Sequence, residues 1–332
     1  MPCYRPLEAY QCLDGAVVFS DGKGNKRYDI QRQLLLACGQ CVGCRLERSR
    51  QWAIRCTHEK QMHDESCFAT LTYNEENLPA NNSLEHRHVQ LFIKRLRKAL
   101  SRGTLDTQGD LDKKDAAPGC SYGGAAPIPP KKIRYYLCGE YGEKTQRAHY
   151  HVLIFGWTPK DQKFWSTSSS EIKSKIYTSA TLEKIWGKGR TYIGEVTFES
   201  AAYVARYIMK KINGRQAKKH YESVNPETGE IINRKPEYTK MSLKPGIGAT
   251  WLEKYKADAY PEGKVVARGH KSKTPKYYDK KYKKTNPLDY EDLLYERHKE
   301  MSKQTGENSK ERLAVRETVA KAKIAFLKRT GH

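Results

Sequence analysis

The strongest constraint on this chain is a pair of short β-type segments joined by a polar turn. Residues 133–140 read IRYYLCGE, residues 148–156 read AHYHVLIFG, and YGEKTQR lies between them. Both segments are rich in aromatic and β-branched residues, and so short a connection joins antiparallel neighbours, so they predict a β-hairpin. Along its second strand, His149 and His151 are two residues apart and point to one face. Tyr150, Val152 and Ile154 point to the other, into a core. Glu140 ends the first strand, where hairpin geometry can bring it beside His149. Two imidazoles and a carboxylate can share one divalent cation and leave positions open for phosphate oxygens, which suits Lewis-acid catalysis. An HxH triplet alone is weak evidence in a chain with 10 histidines. Its place at the centre of a sheet gives it weight.

The flanking segments predict what that hairpin sits in. CFATLTY at 67–73 alternates like a strand, and residues 84–100 carry Leu84, His88, Leu91, Phe92, Leu96 and Leu100 at helical spacing. Helical patterning recurs around Thr178–Trp186, followed by a strand at Thr191–Phe198. A further helix is expected to be capped by Ser200 and stopped at Asn213-Gly214. The order strand, helix, strand, strand, helix, strand is the ferredoxin-like α+β plan, an antiparallel central sheet backed by helices. Between Ser101 and Lys132 the chain turns to Gly, Pro, Asp and Ala, which predicts a mobile insertion with too few large apolar residues to order itself.

On the helix after the last strand, Tyr203 and Tyr207 in AAYVARYIMKK stack on one face, and Lys210 falls on the same side. A phenol with its ordinary pKa near 10 is a poor nucleophile at neutral pH and needs a cation or a base beside it. A metal at His149, His151 and Glu140, with Lys210 alongside, would supply that. Aromatics four apart on a helix more often pack a core. The HxH strand one helix–strand unit earlier reverses that balance.

Cysteine crowds the other end of the chain, with Cys3, Cys12, Cys38, Cys41, Cys44, Cys56 and Cys67 all near the N-terminus. Cys38, Cys41 and Cys44 form CxxCxxC, three possible ligands for a structural Zn²⁺. Cys3, Cys12, Cys56, His58 or Cys67 could be the fourth. A ferredoxin-type cluster would need another cysteine three residues on, followed by proline, where this chain reads RLER. Residues 1–66 are therefore expected to form a Cys-rich segment that includes a basic helix from Arg45 to His63. Residues 67–250 would form the α+β core, and 251–332 a basic extension with a charged helical tail.

Lys and Arg number 61 against 38 Asp and Glu, a net charge of +23, which points to a polyanionic partner. In KVVARGHKSKTPKYYDKKYKK, residues 264–284, nine cations interleave with Tyr277, Tyr278 and Tyr282, a composition that could bind single-stranded nucleic acid. No apolar run approaches the roughly 20 residues of a membrane span, and the N-terminus lacks the apolar region of a secretory signal. A cytoplasmic setting with reduced cysteines is expected.

FATLTY at 68–73, GEYGEKTQRAHYHVLIFG at 139–156 and YVARYIMKK at 203–211 together resemble, in order, the three motifs of the HUH endonuclease superfamily. Within it the chain is most similar to the replication initiators of microviruses of the gokushovirus branch. CGQCVGCRLERSRQWAIRC at 38–56 and KPGIGATWLEKY at 244–255 resemble that branch too. The resemblance implies rolling-circle replication: a tyrosine nicks origin DNA, single-stranded or melted, leaving a 5′-phosphotyrosine and a free 3′-OH. It implies Mg²⁺ or Mn²⁺ on His149 and His151, with Glu140 or the nearby Glu143 as third ligand, and Tyr203 and Tyr207 as alternating nucleophiles. Lys210 matches the family's helix lysine better than Lys211. Thr70 and Thr72 lie in the first motif, with a structural role or a DNA contact. Host helicase and polymerase would be partners, in the bacterial host cytoplasm. Two other classes fit parts of the sequence: a non-catalytic single-strand-binding protein with a metal-stabilised lobe, and a metal-dependent hydrolase that uses water.

Overall fold

The computed structural model describes residues 3–19, 29–103, 105, 132–142, 145–168, 173–206, 217, 220–224, 229–303 and 308–326. Most of the insertion expected at 101–132 and the expected helix stop at Asn213-Gly214 lie outside the described residues. The described residues divide into two compact units. One is drawn from within Met1–Gln51, Tyr260–Val265 and Ser272–Arg329, the other from within Trp52–Ala259 and Val266–Lys271.

In the first unit, β1 (Leu7–Cys12) runs antiparallel between β2 (Val17–Phe19) and β3 (Ile30–Leu36). Next comes the long helix α1 (Val42–Lys60), which begins three residues before the patterning suggests; its residues to Gln51 belong to this unit and those from Trp52 to the second. Cys41 and Cys44 sit at its start.

The central sheet collects its strands from across the second unit. Strand β4 (Ser66–Leu71) leads to α2 (His86–Ser101), and the predicted hairpin is β5 (Arg134–Tyr141) and β6 (Ala148–Phe155). Two strands that periodicity did not reveal follow, β7 (Lys163–Thr167) and β8 (Lys175–Thr178). Then come α3 (Ala180–Trp186), β9 (Thr191–Gly194) and α4 (Phe198–Arg206). A small hairpin, β10 (Glu222–Val224) and β11 (Ile231–Asn233), precedes β12 (Tyr238–Met241), which joins the main sheet. The seven strands lie in the order β12-β5-β6-β4-β9-β8-β7 with antiparallel pairing. Its four central strands, β5-β6-β4-β9, with α2 and α3 as crossovers, are the ferredoxin-like arrangement. Strands β7, β8 and β12 extend it at both edges.

Alternation along β6 divides the two faces. Tyr150, Val152 and Ile154 join a core with Val89, Phe92 and Leu96 of α2 and Leu182 and Trp186 of α3. Leu153 and Phe155 point the other way, into a core with Ala201, Val204 and Ala205 of α4 and with Ala53 and Cys56 of α1. Each large apolar side chain removed from water contributes about 1.5–3 kcal/mol, so both faces resist a register slip. Trp186 also donates from Nε1 to the Thr72 carbonyl at 2.7 Å, fixing α3 to the end of β4. Gly139 is required by close approach. A Cβ there would come within 2.9 Å of both Leu84 and Tyr238.

Helix α4 starts differently from the sequence expectation. Ser200 lies inside its first turn, and Thr197 is the capping residue. The Ser200 amide donates to Thr197 Oγ1 at 3.1 Å, while the Thr197 amide donates back to Ser200 Oγ at 2.8 Å. This is the reciprocal pattern of a capping box, with serine standing where glutamate is usual.

Toward the C-terminus are α5 (Ala249–Lys254), α6 (Lys256–Ala259), the hairpin β13 (Lys264–Ala267) and β14 (His270–Lys273), and three helices. These are α7 (Lys276–Thr285), α8 (Pro287–Ser302) and α9 (Lys310–Phe326). Buried Asp279 organises this end of the first unit. It accepts from Tyr260 at 2.8 Å and Thr274 at 2.6 Å, and pairs with Arg297 at 2.8 Å.

Candidate functional site

The hairpin register brings three side chains of the sequence proposal together. Glu140 is directly opposite His149, and Cys138 opposite His151, so all four project from one face of the sheet. Glu140 Oε1 is 2.7 Å from His149 Nε2 and 3.0 Å from His151 Nε2. One donor atom from each of the three residues lies within 4.8 Å of the others. Glu140 and His151 are buried and His149 is half-buried, so the group opens on one side.

The protonation pattern favours a cation at this point. His149 Nδ1 is 3.2 Å from the Arg147 carbonyl, which can only accept, so Nδ1 carries the hydrogen. In the neutral ring the Nε2 lone pair then faces a carboxylate oxygen. Two acceptors at that separation need a positive centre between them, either a proton or a metal ion. Glu140 Oε2 is buried with no hydrogen-bond partner among the described residues, which leaves a second lone-pair site open. Burial pushes the Glu140 carboxyl up, but its contacts to His149 and His151 outweigh this and hold it below the usual carboxylate range.

The second histidine is oriented from the neighbouring strand. Thr70 of β4 pairs in register with His151, and its Oγ1 is 3.0 Å from His151 Nδ1. Outer contacts of this kind turn the opposite ring nitrogen toward a metal. Phe68 stacks on His151 with ring centres 5.4 Å apart. Thr72 is placed otherwise, donating from its hydroxyl to the Arg190 carbonyl at 2.8 Å.

Helix α4 delivers Tyr203 to the same face. Its ring is edge-on to His151 at 5.2 Å and to Phe68 at 6.4 Å, half-buried against the α4 core. A tyrosine is therefore beside the histidine pair. Tyr207, Lys210 and Lys211, and the alternative ligand Glu143, lie outside the described residues.

A second ligand group occupies the first unit. Cys38, Cys41 and Cys44 converge, and Cys3 is the fourth member. The other four fourth-ligand candidates, Cys12, Cys56, His58 and Cys67, are outside it. Cys56 and Cys67 are core residues, and His58 stacks on Trp251 with ring centres 3.5 Å apart. The Cys38–Cys44 and Cys3–Cys41 sulfurs are 4.0 and 3.9 Å apart. Backbone amides of Cys38, Cys41, Cys44 and Tyr4 all donate to cluster sulfurs at 3.3–3.5 Å. Burial raises the Cys41 thiol, but donors from Cys44 and Tyr4 outweigh it and bring it down to about 7, while burial pushes Cys3 and Cys44 up. Four sulfurs this close could all lose their protons together only with a cation among them, so this group too suits a metal. Cys3 was one of five candidates for the fourth position, and distance along the chain left nothing but residue type to favour it.

The basic segment at 264–284 needs a correction. Tyr278 and Tyr282 are buried, with Tyr282 stacked on Tyr260 at 3.8 Å and 7°. Rings packed into a core are not open to bases. Interleaving with lysines here reflects an amphipathic helix, α7, whose Lys276, Lys280, Lys283 and Lys284 face solvent.

The fold and the site thus define a ferredoxin-like α+β protein with a Glu–His–His group on its sheet and a tyrosine helix against it. Comparison with known proteins places this class. Residues 66–212 match the replication-associated protein ORF2/G2P family. Replication-associated protein VP4 of Bdellovibrio phage phiMH2K is 34% identical over 307 residues, covering 91% of this chain and 84% of its own. Replication-associated protein ORF2 of Spiroplasma virus 4 is 30% identical over 323 residues, covering 92% and 88%. Replication-associated protein ORF4 of Chlamydia phage 1 is 31% identical over 178 residues, 53% of this chain and 38% of its own. The chain belongs to the replication-associated proteins of microviruses and acts in phage replication. No solved structure matches. No helix among the described residues is long and apolar enough to cross a membrane.

Proposed function

We propose that this protein initiates rolling-circle replication by nicking and rejoining origin DNA through a tyrosine. The observation that carries the reading is the convergence of Glu140, His149 and His151 beside the Tyr203 ring. In this scheme the Tyr203 phenolic oxygen attacks a phosphodiester of single-stranded or melted DNA. A P–Oη bond forms, the P–O3′ bond breaks, the phenolic proton is lost, and the leaving oxygen ends as a 3′-OH. Because the phosphotyrosine retains the phosphodiester energy, a 3′-OH can reverse the step without ATP.

Mg²⁺ or Mn²⁺ held by Glu140, His149 and His151 would supply Lewis-acid polarisation of the scissile phosphate. Thr70 and the Arg147 carbonyl hold the two imidazoles in the orientation this requires. Tyr207 takes the alternating role and Lys210 stabilises phenolate charge. The free 3′ end would pass to host polymerase, with host helicase opening the duplex, in the bacterial cytoplasm.

The four cysteines fit structural zinc. A tetrahedron with Zn–S near 2.3 Å has sulfur–sulfur edges of about 3.8 Å, against 3.9 and 4.0 Å here. Along the sequence the roles divide into a zinc-stabilised segment over 1–66, the catalytic core over 67–250 and a DNA-binding extension over 251–332, a functional division that the two compact units cut across.

The test is incubation of the full chain with end-labelled origin-strand DNA and Mg²⁺ or Mn²⁺. A covalent protein–DNA adduct, lost in His149→Ala and His151→Ala while salt-dependent binding persists, is the expected result. Binding without cutting would identify a non-catalytic single-strand binder. Cutting without an adduct would identify a hydrolase that uses water.

A further inference from the structure

The sheet face that carries the histidines continues past them. Cys138, His151, Thr70 and Tyr192 stand opposite one another on four successive strands, β5, β6, β4 and β9. Residues paired in this way share a face, so the half-buried Tyr192 ring lies on the same surface as the candidate metal group, two strands away. Beyond β9 come β8 and then the edge strand β7.

The edge strand has an unusual composition for a solvent boundary. Phe164 and Trp165 are 61% and 54% exposed, where sheet edges are normally blunted with charge. The pairing of β7 with β8 shifts register between Phe164 and Ser166, so Trp165 is the extra residue of a bulge. Bulges turn a side chain to a new direction and occur beside active sites. This one aims Trp165 along the histidine face, where its ring centre is 6.3 Å from that of Tyr192. Phe164 meets Tyr177, whose register partner Ile193 belongs to the opposite face. The Arg190 guanidinium is 6.0 Å from the Trp165 ring centre and is exposed, as is Lys163.

We propose that Trp165, Tyr192 and Arg190 form a stacking subsite for single-stranded DNA that leads to the Glu140–His149–His151 group. Flat open rings offer surface to any unpaired base, and flanking cations to phosphates. Duplex DNA hides its base faces, so the occupant is single-stranded. Four strand spacings of about 4.8 Å put β7 roughly 19 Å from β6, a reach spanned by roughly five or six stacked nucleotides at about 3.4 Å each. The proposal rests on the DNA-cutting reading for what happens at the far end of the track, but the binding it predicts is measured separately.

The experiment is anisotropy titration of the full chain with labelled single-stranded oligonucleotides at several salt concentrations, without divalent metal. Trp165→Ala should weaken binding on the order of 10-fold, the loss expected for removing one base–aromatic stack, with the salt slope unchanged. Trp165→Phe should recover most of that affinity. Arg190→Ala should lower the salt slope by about one, the signature of a phosphate contact. Thermal melts check that the variants stay folded, as a half-exposed edge residue allows. Unchanged affinity in folded Trp165→Ala, or equal loss for duplex and single strands, overturns the subsite. If the subsite behaves as stated but no adduct ever forms, the cutting reading fails and the binding track stands.

Discussion

Thr70 Oγ1 sits 3.0 Å from Nδ1 of His151, across the pairing between β4 and β6. A hydroxyl at that point holds the ring so that Nε2 faces Glu140. Thr70→Val keeps the β-branched shape and removes only the oxygen. Divalent-metal affinity and cutting should fall about 10–100-fold, the usual cost of losing an outer contact to a metal-binding histidine, with the melting temperature near that of the parent. A variant with parental metal dependence would show that Thr70 has no positioning role.

Tyr203 is edge-on to His151, and its ring also packs the α4 core. Phenylalanine keeps that packing and removes the nucleophilic oxygen. Tyr203→Phe or Tyr207→Phe alone should leave at most one round of nicking. The double variant should fold, bind DNA and form no adduct. Mass spectrometry of the trapped complex locates the attachment, and a phosphotyrosine at Tyr192 or Tyr221 would reassign the nucleophile.

The four-cysteine group predicts about one zinc per chain by elemental analysis. Cys3→Ser should lower zinc occupancy as strongly as Cys41→Ser does, because both sulfurs belong to the same group. Cys12→Ser, outside it, should leave zinc unchanged. Full occupancy in Cys3→Ser would remove Cys3 from the ligand set.

His58 is buried against Trp251, and burial lowers its pKa from 6.5 to about 4. The folded state therefore binds fewer protons than the unfolded state between those values. Stability from this residue is complete above pH 6.5 and is lost as pH falls toward 4. At pH 5 the loss should be about 2 kcal/mol. His58→Phe cannot titrate and should flatten that limb in denaturant melts at pH 7.5 and 5. An identical pH dependence in the variant would refute this assignment.

Much of this fold is legible in the amino-acid sequence alone. The period-2 pattern of β5 and β6 and the short turn between them set a hairpin whose register follows from which residues can be buried. The convergence of Glu140, His149 and His151 follows from that local geometry, so their proximity is legible in the sequence. The buried stripe of α2 was similarly visible in the spacing of Phe92, Leu96 and Leu100.

What tertiary structure decided were the partnerships between segments far apart in the chain. Spacing alone left five choices beside Cys38, Cys41 and Cys44, and only folding of the N-terminal strand brings Cys3 to them. Thr70 and His151 meet because β4 inserts beside β6, a strand order that no local pattern encodes. Tyr278 and Tyr282 looked like exposed stacking rings by composition, because a half-buried basic helix and a solvated basic tail can share one sequence. Trp165 had no signal as a surface ring, since exposure depends on which strand ends the sheet and where its bulge falls. Local periodicity records which way a side chain points from its own backbone. What it then meets is determined by long-range packing, and that is where this site acquires its surroundings.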